Sequence, residues 1–119
     1  MTHKKFKLGR LKKRAEFLFV AERGSGKGRF KARPGIVIQA RKNLSRTAGI
    51  DVGFTATKKI GNAVTRNKAK RRLRACAQAI LPTLGEPGYD YVFIARAETA
   101  TMDWKELQAH VEKAVLALK

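Results

Sequence analysis

The chain shows two hydrophobic patterns, one with a period of two residues and one with a period of three to four. Residues 50–57 alternate apolar with polar or small side chains, and residues 36–41 and 89–96 are rich in β-branched and aromatic types. These three segments are predicted strands. Because residues 43–49 form a short polar connector, we expect the first two strands to pair as an antiparallel hairpin.

Three other segments have the features of helices. Residues 12–23 contain no glycine or proline and predict the first helix. A second helix is predicted to begin after Asn62 or Thr65, since either side chain can cap it. Its apolar residues recur at spacings of four, three and four, and they are Ala69, Leu73, Cys76 and Ile80. Asp103 and Glu106 have the form of a capping box before a third, amphipathic helix.

The predicted order is helix, strand, strand, helix, strand, helix, with room for a further short strand near the N-terminus. This order is typical of a small α+β domain in which helices pack on one mixed sheet. Residues 1–10 are polar and basic, and we expect them to form a flexible arm. Residues 11–119 are then a single domain.

The charge of the chain is large and uneven. Its 119 residues include 27 Lys plus Arg and 9 Asp plus Glu, which gives a formal net charge of +18. Residues 1–74 hold 23 of the basic side chains and 3 of the acidic ones. A compact body with this charge repels itself unless a polyanion neutralises it, so nucleic acid is the predicted partner class.

The sequence lacks the features of membrane-spanning, secreted and zinc-binding proteins. The longest strongly apolar run, residues 17–21, has five residues, whereas a membrane-spanning helix needs about 20. The basic N-terminus lacks the apolar segment of a secretory signal, so we expect a cytoplasmic protein with no membrane partner. Cys76 is the only cysteine, and with His3 and His110 it makes no zinc-ligand spacing, so no metal site is predicted.

The segment 58–74 carries the strongest functional signal. Eight of its 17 residues are basic, and no acidic residue occurs between Val52 and Gly85. Such a run is often only a solvated helix face. Here its cations crowd into the first turns of a helix, where the macrodipole disfavours them by about 0.3 to 1 kcal/mol each unless a phosphate binds. Asn62 and Asn67 can both donate and accept hydrogen bonds, which favours structured RNA over DNA coating.

The entry to this segment, Lys58-Lys59-Ile60-Gly61-Asn62-Ala63-Val64, resembles the signature of the bacterial ribonuclease P protein component. Weaker similarity covers roughly residues 8–118. The resemblance implies an accessory subunit of a ribozyme whose RNA removes the 5′ leader from precursor tRNA. The magnesium ions would be held by the RNA, and the protein would supply no catalytic group and bind no cofactor. The resemblance also implies one protein per catalytic RNA, and a left-handed crossover at the second helix where a right-handed one is the usual expectation.

The resemblance further implies binding residues by position. The basic helix would face the catalytic RNA through Lys58, Lys59, Asn62, Arg66, Asn67, Lys68, Lys70, Arg71 and Arg72. A cleft between the first helix and the sheet would hold the single-stranded leader through Lys12, Lys13, Arg14, Phe17 and Gln39. The chain departs from the family pattern at Lys68, where an arginine fork is usual, and at Ala21 and Gln39, where relatives often carry aromatic side chains.

Three other functions agree with the basic composition. A ribosomal or other structural RNA-binding protein would share it, and only the signature segment distinguishes that alternative. A DNA-coating protein would bind duplex DNA and folded RNA with comparable affinity at equal salt. A nuclease acting alone would cleave RNA without an RNA subunit, but the sequence shows no recognisable acid–base or nucleophile motif. The main prediction is therefore that residues 11–119 form one RNA-binding domain of ribonuclease P.

Overall fold

The structure, a computed structural model, describes residues 8–21, 28–45 and 48–119. In chain order the elements are β1 (Leu8–Arg10), α1 (Arg14–Ala21), β2 (Arg29–Arg33), β3 (Ile36–Lys42), β4 (Ile50–Thr55), α2 (Ala63–Leu84), β5 (Tyr89–Ala95) and α3 (Trp104–Ala117). A short 3-10 helix, Lys58–Ile60, precedes α2. The α+β class and the order of the six predicted elements are confirmed. β1 occupies the place left for a short N-terminal strand, and β2 is an addition.

The five strands form one mixed sheet in the order β1-β4-β5-β3-β2. β5 pairs antiparallel with β3 and parallel with β4. The predicted hairpin of β3 with β4 is therefore wrong, because β5 lies between them. Tyr91, Val92 and Phe93 follow one another in β5 and are all buried, so apolar side chains of this strand are covered on both faces. Such a strand is most stable in the centre of a sheet. β4, α2 and β5 form the parallel crossover unit for which the resemblance implies a left-handed connection. The handedness of this connection stays a prediction.

The main core lies on one face of the sheet, under α2 and α3. Tyr91 and Phe93 of β5 are fully buried there beside Ile38 of β3. The predicted stripe of α2 is confirmed, since all four of its members are buried in the same core, namely Ala69, Leu73, Cys76 and Ile80. Burial raises the pKa of the Cys76 thiol to about 11. The thiol is thus neutral at physiological pH and packs as a small apolar side chain.

The opposite face of the sheet is covered by α1, which has eight residues. α1 packs on β3 and β5, where Val20 joins Leu11 and Val92 in a second apolar cluster. The helix is shorter than the predicted 12–23, because it begins at Arg14, and residues 22 and 23 lie outside the described ranges. So short a helix covers only part of a five-stranded sheet, and the other described helices, α2 and α3, pack on the opposite face.

The N-terminal segment departs from the predicted flexible arm. Leu8–Arg10 pairs as β1 in parallel with β4, with Leu8 opposite Ile50. The Leu8 side chain packs against the main core, which holds the strand in place. The arm prediction is therefore wrong for residues 8–10, and residues 1–7 lie outside the described ranges.

Candidate nucleic-acid interface

Two local features fix the start of α2. The Asn62 side chain caps the helix by accepting a hydrogen bond from the Thr65 amide at 2.9 Å. Gly61, just before it, has a φ of 145°, a backbone conformation that L side chains rarely adopt. Of the two predicted caps, Asn62 is therefore the one used. The resulting turn joins the 3-10 helix, which carries Lys58 and Lys59, to the basic first turns of α2.

The basic residues of this turn and of α2 form an outward face. Its exposed members are Lys58, Lys59, Asn62, Asn67, Lys68 and Arg71. Arg66 and Lys70 are partly buried beside the apolar stripe. No acidic side chain occurs between Val52 and Gly85, so positive charge continues across the helix start. The free N–H groups of that first turn also attract anions, which makes the face suited to phosphate.

Arg72 is the exception within the predicted RNA-binding set. Its guanidinium donates hydrogen bonds to the carbonyl oxygens of Thr99 and Met102, at 2.8 and 2.7 Å. It also lies 5.4 Å from the centre of the Trp104 ring. These contacts tie α2 to the segment that enters α3. The geometry therefore gives Arg72 a structural role, and its predicted contact with RNA stays a prediction.

A cleft of about 460 Å³ lies between α1 and α2, above the end of β4. Its lining consists of Lys12, Arg14, Phe17, Phe54, Thr55, Ala56 and Lys70. Three of the five predicted leader residues, Lys12, Arg14 and Phe17, are thus brought together. Lys13 is exposed but does not line the cleft, and Gln39 lies on β3, two strands away from β4. Lys70 belongs to the basic face of α2, so the two predicted surfaces meet at that side chain.

Phe17 depends on a glycine in the strand beneath it. A Cβ at Gly53 would lie 2.5 Å from the Phe17 ring, so only glycine allows the ring to approach β4 this closely. The ring also packs against the second apolar cluster, beside Leu11 and Val92. The Phe17 side chain therefore both packs against the second apolar cluster and lines the cleft.

Glu16 fixes the start of α1, next to the cleft residues Lys12 and Arg14. Its Oε1 accepts hydrogen bonds from the amides of Lys12 and Lys13, both at 2.8 Å. The hydrogen bond from the Lys13 amide, followed by that from Lys12, holds the pKa of Glu16 below its ordinary value. The ionised carboxylate thereby orders the turn that brings Lys12 to the rim of the cleft.

Two arginines beside the cleft are absent from the predicted binding residues. The guanidinium carbons of Arg10 on β1 and Arg74 on α2 each lie 5.7 Å from the centre of the Phe54 ring. Such positions over an aromatic face are favourable cation–π contacts. Arg74 belongs to the basic segment, which is a signal that could have included it. Arg10 gave no signal, because only the parallel pairing of β1 with β4 brings it here.

On the far side of α1, a second hollow of about 450 Å³ is lined by residues of β3 and the loop that follows it, together with Phe19. The Arg41 guanidinium lies 4.0 Å from the centre of the Phe19 ring and donates to the Phe19 carbonyl at 2.9 Å. These contacts attach α1 to β3. Phe19 therefore supports the helix rather than the cleft.

Within the described ranges, no three His, Cys, Asp or Glu side chains gather into a group that could hold a metal ion. In that same part of the chain, no helix is both long and apolar enough to cross a membrane. The two surfaces offer cations, amide groups and an aromatic ring, the groups that contact phosphates and unpaired bases.

A mixed α+β domain with a capped basic helix beside a cleft lined by cations and an aromatic ring has the features of an RNA-binding module. The family model described as Ribonuclease P matches residues 6–119 of the chain. The chain therefore belongs to the ribonuclease P protein family.

Individual relatives and solved structures agree with this assignment. The ribonuclease P protein component of Caulobacter vibrioides (strain NA1000 / CB15N) is 46% identical over 112 residues, which are 94% of this chain and 72% of that protein. That of Ruegeria pomeroyi is 44% identical over 111 residues, covering 91% and 84%. The Staphylococcus aureus RNase P protein structure has a TM-score of 0.74 at 28% identity, covering 95% and 97%. That of Thermotoga maritima, with a TM-score of 0.74 at 24% identity over 92% and 97%, shows the fold alone.

Proposed function

We infer that this chain binds the catalytic RNA of ribonuclease P and the 5′ leader of precursor tRNA. It thereby promotes endonucleolytic removal of the leader by that RNA, with magnesium ions held by the RNA. The observation that carries this proposal is the pair of surfaces that meet at Lys70, one basic and convex on α2 and one concave beside Phe17. The two surfaces suit two different RNAs, a folded one and a single-stranded one.

The roles of the residues follow from their exposure. The exposed cations of the 3-10 helix and of α2 neutralise phosphates of the catalytic RNA, and Asn62 and Asn67 add hydrogen bonds at its sugars or base edges. Lys12, Arg14 and Lys70 hold the leader backbone at the rim of the cleft, and Phe17 stacks on one base. In this proposal one protein serves each catalytic RNA, in the cytoplasm, and the protein itself binds no cofactor.

The experiment that tests the proposal adds the purified chain to a bacterial ribonuclease P RNA and follows cleavage of precursor tRNA at low magnesium. We expect clear stimulation, because the protein neutralises phosphates that otherwise require more magnesium. Absence of stimulation contradicts the proposal. The chain without RNA is the control, and cleavage by the chain alone supports an independent nuclease instead.

Family membership favours this function over the ribosomal alternative. To test the DNA-coating alternative, a duplex DNA and a folded RNA are compared as competitors that displace the catalytic RNA from the chain at equal salt. We expect the folded RNA to compete far better, because Asn62 and Asn67 are exposed among the cations and can contact 2′-hydroxyl groups. Equal competition would favour nonspecific charge neutralisation.

A further inference from the structure

Trp104, the only tryptophan of the chain, lies at the start of α3 beside α2. α2 follows β4 and α3 follows β5, and these two strands are parallel. Both helices therefore begin at the same edge of the sheet. The guanidinium of Arg72 on α2 lies 5.4 Å from the centre of the Trp104 ring. Trp104 is also 37% exposed, so part of this large side chain is accessible to a ligand.

The order of residues around α2 shows on which side of its basic face Trp104 lies. At about 100° per residue, Lys70 and Arg72 are about 200° apart, so they lie on opposite flanks of the helix. Lys70 lines the cleft, whereas Arg72 contacts Trp104. The exposed Lys68 precedes Arg72 by about one turn, and the exposed Arg71 lies on the outward arc between the flanks. The basic face is thus bordered by the cleft on one side and by Trp104 on the other.

The position of the Trp104 ring is fixed by contacts within the protein. Arg72 donates hydrogen bonds to the carbonyl oxygens of Thr99 and Met102, at 2.8 and 2.7 Å, in the segment that enters α3. The side chain of Asp103 caps the same helix. Because these contacts order the turn before any ligand binds, the ring loses little conformational entropy when it does.

The charges near Trp104 indicate which part of an RNA contacts it. Three exposed carboxylates lie close to it in the sequence, at Glu98, Asp103 and Glu106. They disfavour a phosphate directly on the ring. An uncharged base can stack there, while the phosphates next to it reach Lys68 and Arg71. A second copy of the chain fits less well, because it would bring another net charge of +18 to the basic face.

We propose that Trp104 stacks on a base of the catalytic RNA and is a binding residue for that RNA. The inference rests on the proposed function and extends the interface from α2 to α3. The cations of α2 neutralise phosphates, and Trp104 adds an apolar contact that salt does not screen. The occupant is the catalytic RNA and not the leader, because the cleft that suits the leader lies on the opposite flank of α2.

Because Trp104 is the only tryptophan, its fluorescence reports on this ring alone. The wild-type chain is titrated with a bacterial ribonuclease P RNA, and the tryptophan lifetime is measured because absorption of light by the RNA does not alter it. We expect a changed lifetime and protection of the ring from quenching by acrylamide, as for an indole covered by a base. Precursor tRNA added to the assembled holoenzyme should cause no further change.

Substitutions test whether the contact contributes to affinity. Trp104→Ala should weaken binding of the catalytic RNA about tenfold, as for one stacked base, and Trp104→Phe should retain most of the affinity. Trp104→Ala should leave the slope of log affinity against log salt unchanged, since it removes no charge. Lys68→Ala, by contrast, should make that slope shallower by about 0.7 to 0.9.

Leu116→Ala is the matched control, because Leu116 is an apolar side chain near the other end of α3 that is 44% exposed. It should leave the affinity for the catalytic RNA unchanged. Thermal midpoints of all variants are measured beside the affinities, because Trp104 also contacts Arg72 within the fold. The fluorescence titration uses the wild type, so it decides the matter even if Trp104→Ala fails to fold.

Three outcomes overturn the proposal. One is a catalytic RNA that binds the wild type yet leaves the lifetime and the acrylamide quenching of Trp104 unchanged. Another is a folded Trp104→Ala variant that binds the catalytic RNA as the wild type does. The third is protection of the ring only after precursor tRNA is added, which would place tRNA on Trp104. Failure of the proposed function is distinct, since the catalytic RNA would then not bind the wild type at all.

Discussion

Arg71 and Arg72 are neighbours in the sequence but have opposite surroundings. Arg72 donates two hydrogen bonds to carbonyl oxygens of the segment before α3, whereas Arg71 is exposed. We expect Arg72→Ala to lower the free energy of unfolding by about 2 to 4 kcal/mol, because it leaves the carbonyls of Thr99 and Met102 without their charged donor. Urea unfolding followed by circular dichroism measures this.

Arg71→Ala is the control for that experiment. It should change the free energy of unfolding by no more than about 0.5 kcal/mol, as is usual for exposed positions, and should weaken binding to the catalytic RNA. If the two variants unfold alike, the structural role of Arg72 is wrong. Arg72→Lys should recover only part of the stability, because a single ammonium group does not reproduce the two directed hydrogen bonds of the guanidinium.

Glu16 makes the stability of the α1 start dependent on pH. The amides of Lys13 and Lys12 hold its pKa in the folded chain below the ordinary value of 4.5. Ionised Glu16 therefore stabilises the fold above that value, and the stabilisation is lost as the pH falls through the folded-state pKa. We expect Glu16→Gln to be less stable than the wild type at neutral pH and to equal it in acid.

Thermal unfolding midpoints measured from neutral to acidic pH test this expectation. Glu112→Gln, at an exposed position of α3, controls for the loss of one negative charge. Its difference from the wild type should not follow the pattern of Glu16→Gln. A constant difference between Glu16→Gln and the wild type across the titration would contradict the role of the carboxylate.

Gly53 should influence leader binding without touching RNA. A methyl group there would lie 2.5 Å from the Phe17 ring, so Gly53→Ala must displace the ring. We expect about 1 to 3 kcal/mol of destabilisation from overpacking, and a severalfold weaker binding of leader-bearing tRNA relative to mature tRNA. Holoenzyme binding assays with both tRNAs, beside the thermal midpoint, measure the two effects.

Gly85→Ala is the matched overpacking control, far from the cleft at the end of α2. Its Cβ would lie 2.6 Å from Ile50 and 2.9 Å from the Leu81 carbonyl oxygen. It should lower the midpoint yet preserve the preference for leader-bearing tRNA. If both glycine variants reduce that preference equally, the effect of Gly53→Ala is a general loss of stability.

At the scale of elements, the basic face of α2 should determine how salt affects assembly. Each neutralised phosphate contributes about 0.7 to 0.9 to the slope of log affinity against log salt. With about six contacts we expect a slope near −5 for binding to the catalytic RNA. Arg66→Ala combined with Lys68→Ala should make the slope shallower by about 1.4 to 1.8. A wild-type slope shallower than about −2 would mean that the face is only solvated.

The helices were easier to predict than the sheet because their signals are local. Asn62 as a cap and the buried stripe of α2 follow from residues a few positions apart. β2 was missed because Arg29, Lys31 and Arg33 make it look like a loop, although cations are usual on an edge strand. The pairing of β3 with β5 depends on residues about 50 positions apart, which no local pattern encodes.

The site was predictable to a similar extent. Its charge, its helix and the aromatic Phe17 were visible in the sequence. The hydrogen bonds of Arg72 within the fold could not be predicted, because the carbonyls that accept them belong to residues about 30 positions away. Arg10 was missed for the same reason, since its place over Phe54 depends on β1 joining the sheet.

At the scale of the whole molecule, self-repulsion should make the free chain sensitive to anions. The net charge of +18 destabilises the compact state at low salt, and anions bound at the helix start relieve it. At ten times its dissociation constant, sulfate should stabilise the fold by about 1.4 kcal/mol through mass action, a shift of several degrees in the midpoint. Identical melting curves in sulfate and chloride at matched ionic strength would disprove anion binding to the folded chain.

The central strand β5 is made late, when the ribosome has already synthesised four other strands and two helices. Before residue 95 emerges, the sheet consists at most of two separate pairs, β1 with β4 and β3 with β2, and isolated pairs are barely stable in water. All 23 basic residues of positions 1–74 are already present by then. For most of its synthesis the nascent chain is therefore an unfolded polycation beside ribosomal RNA, and its folding must be completed in one late step.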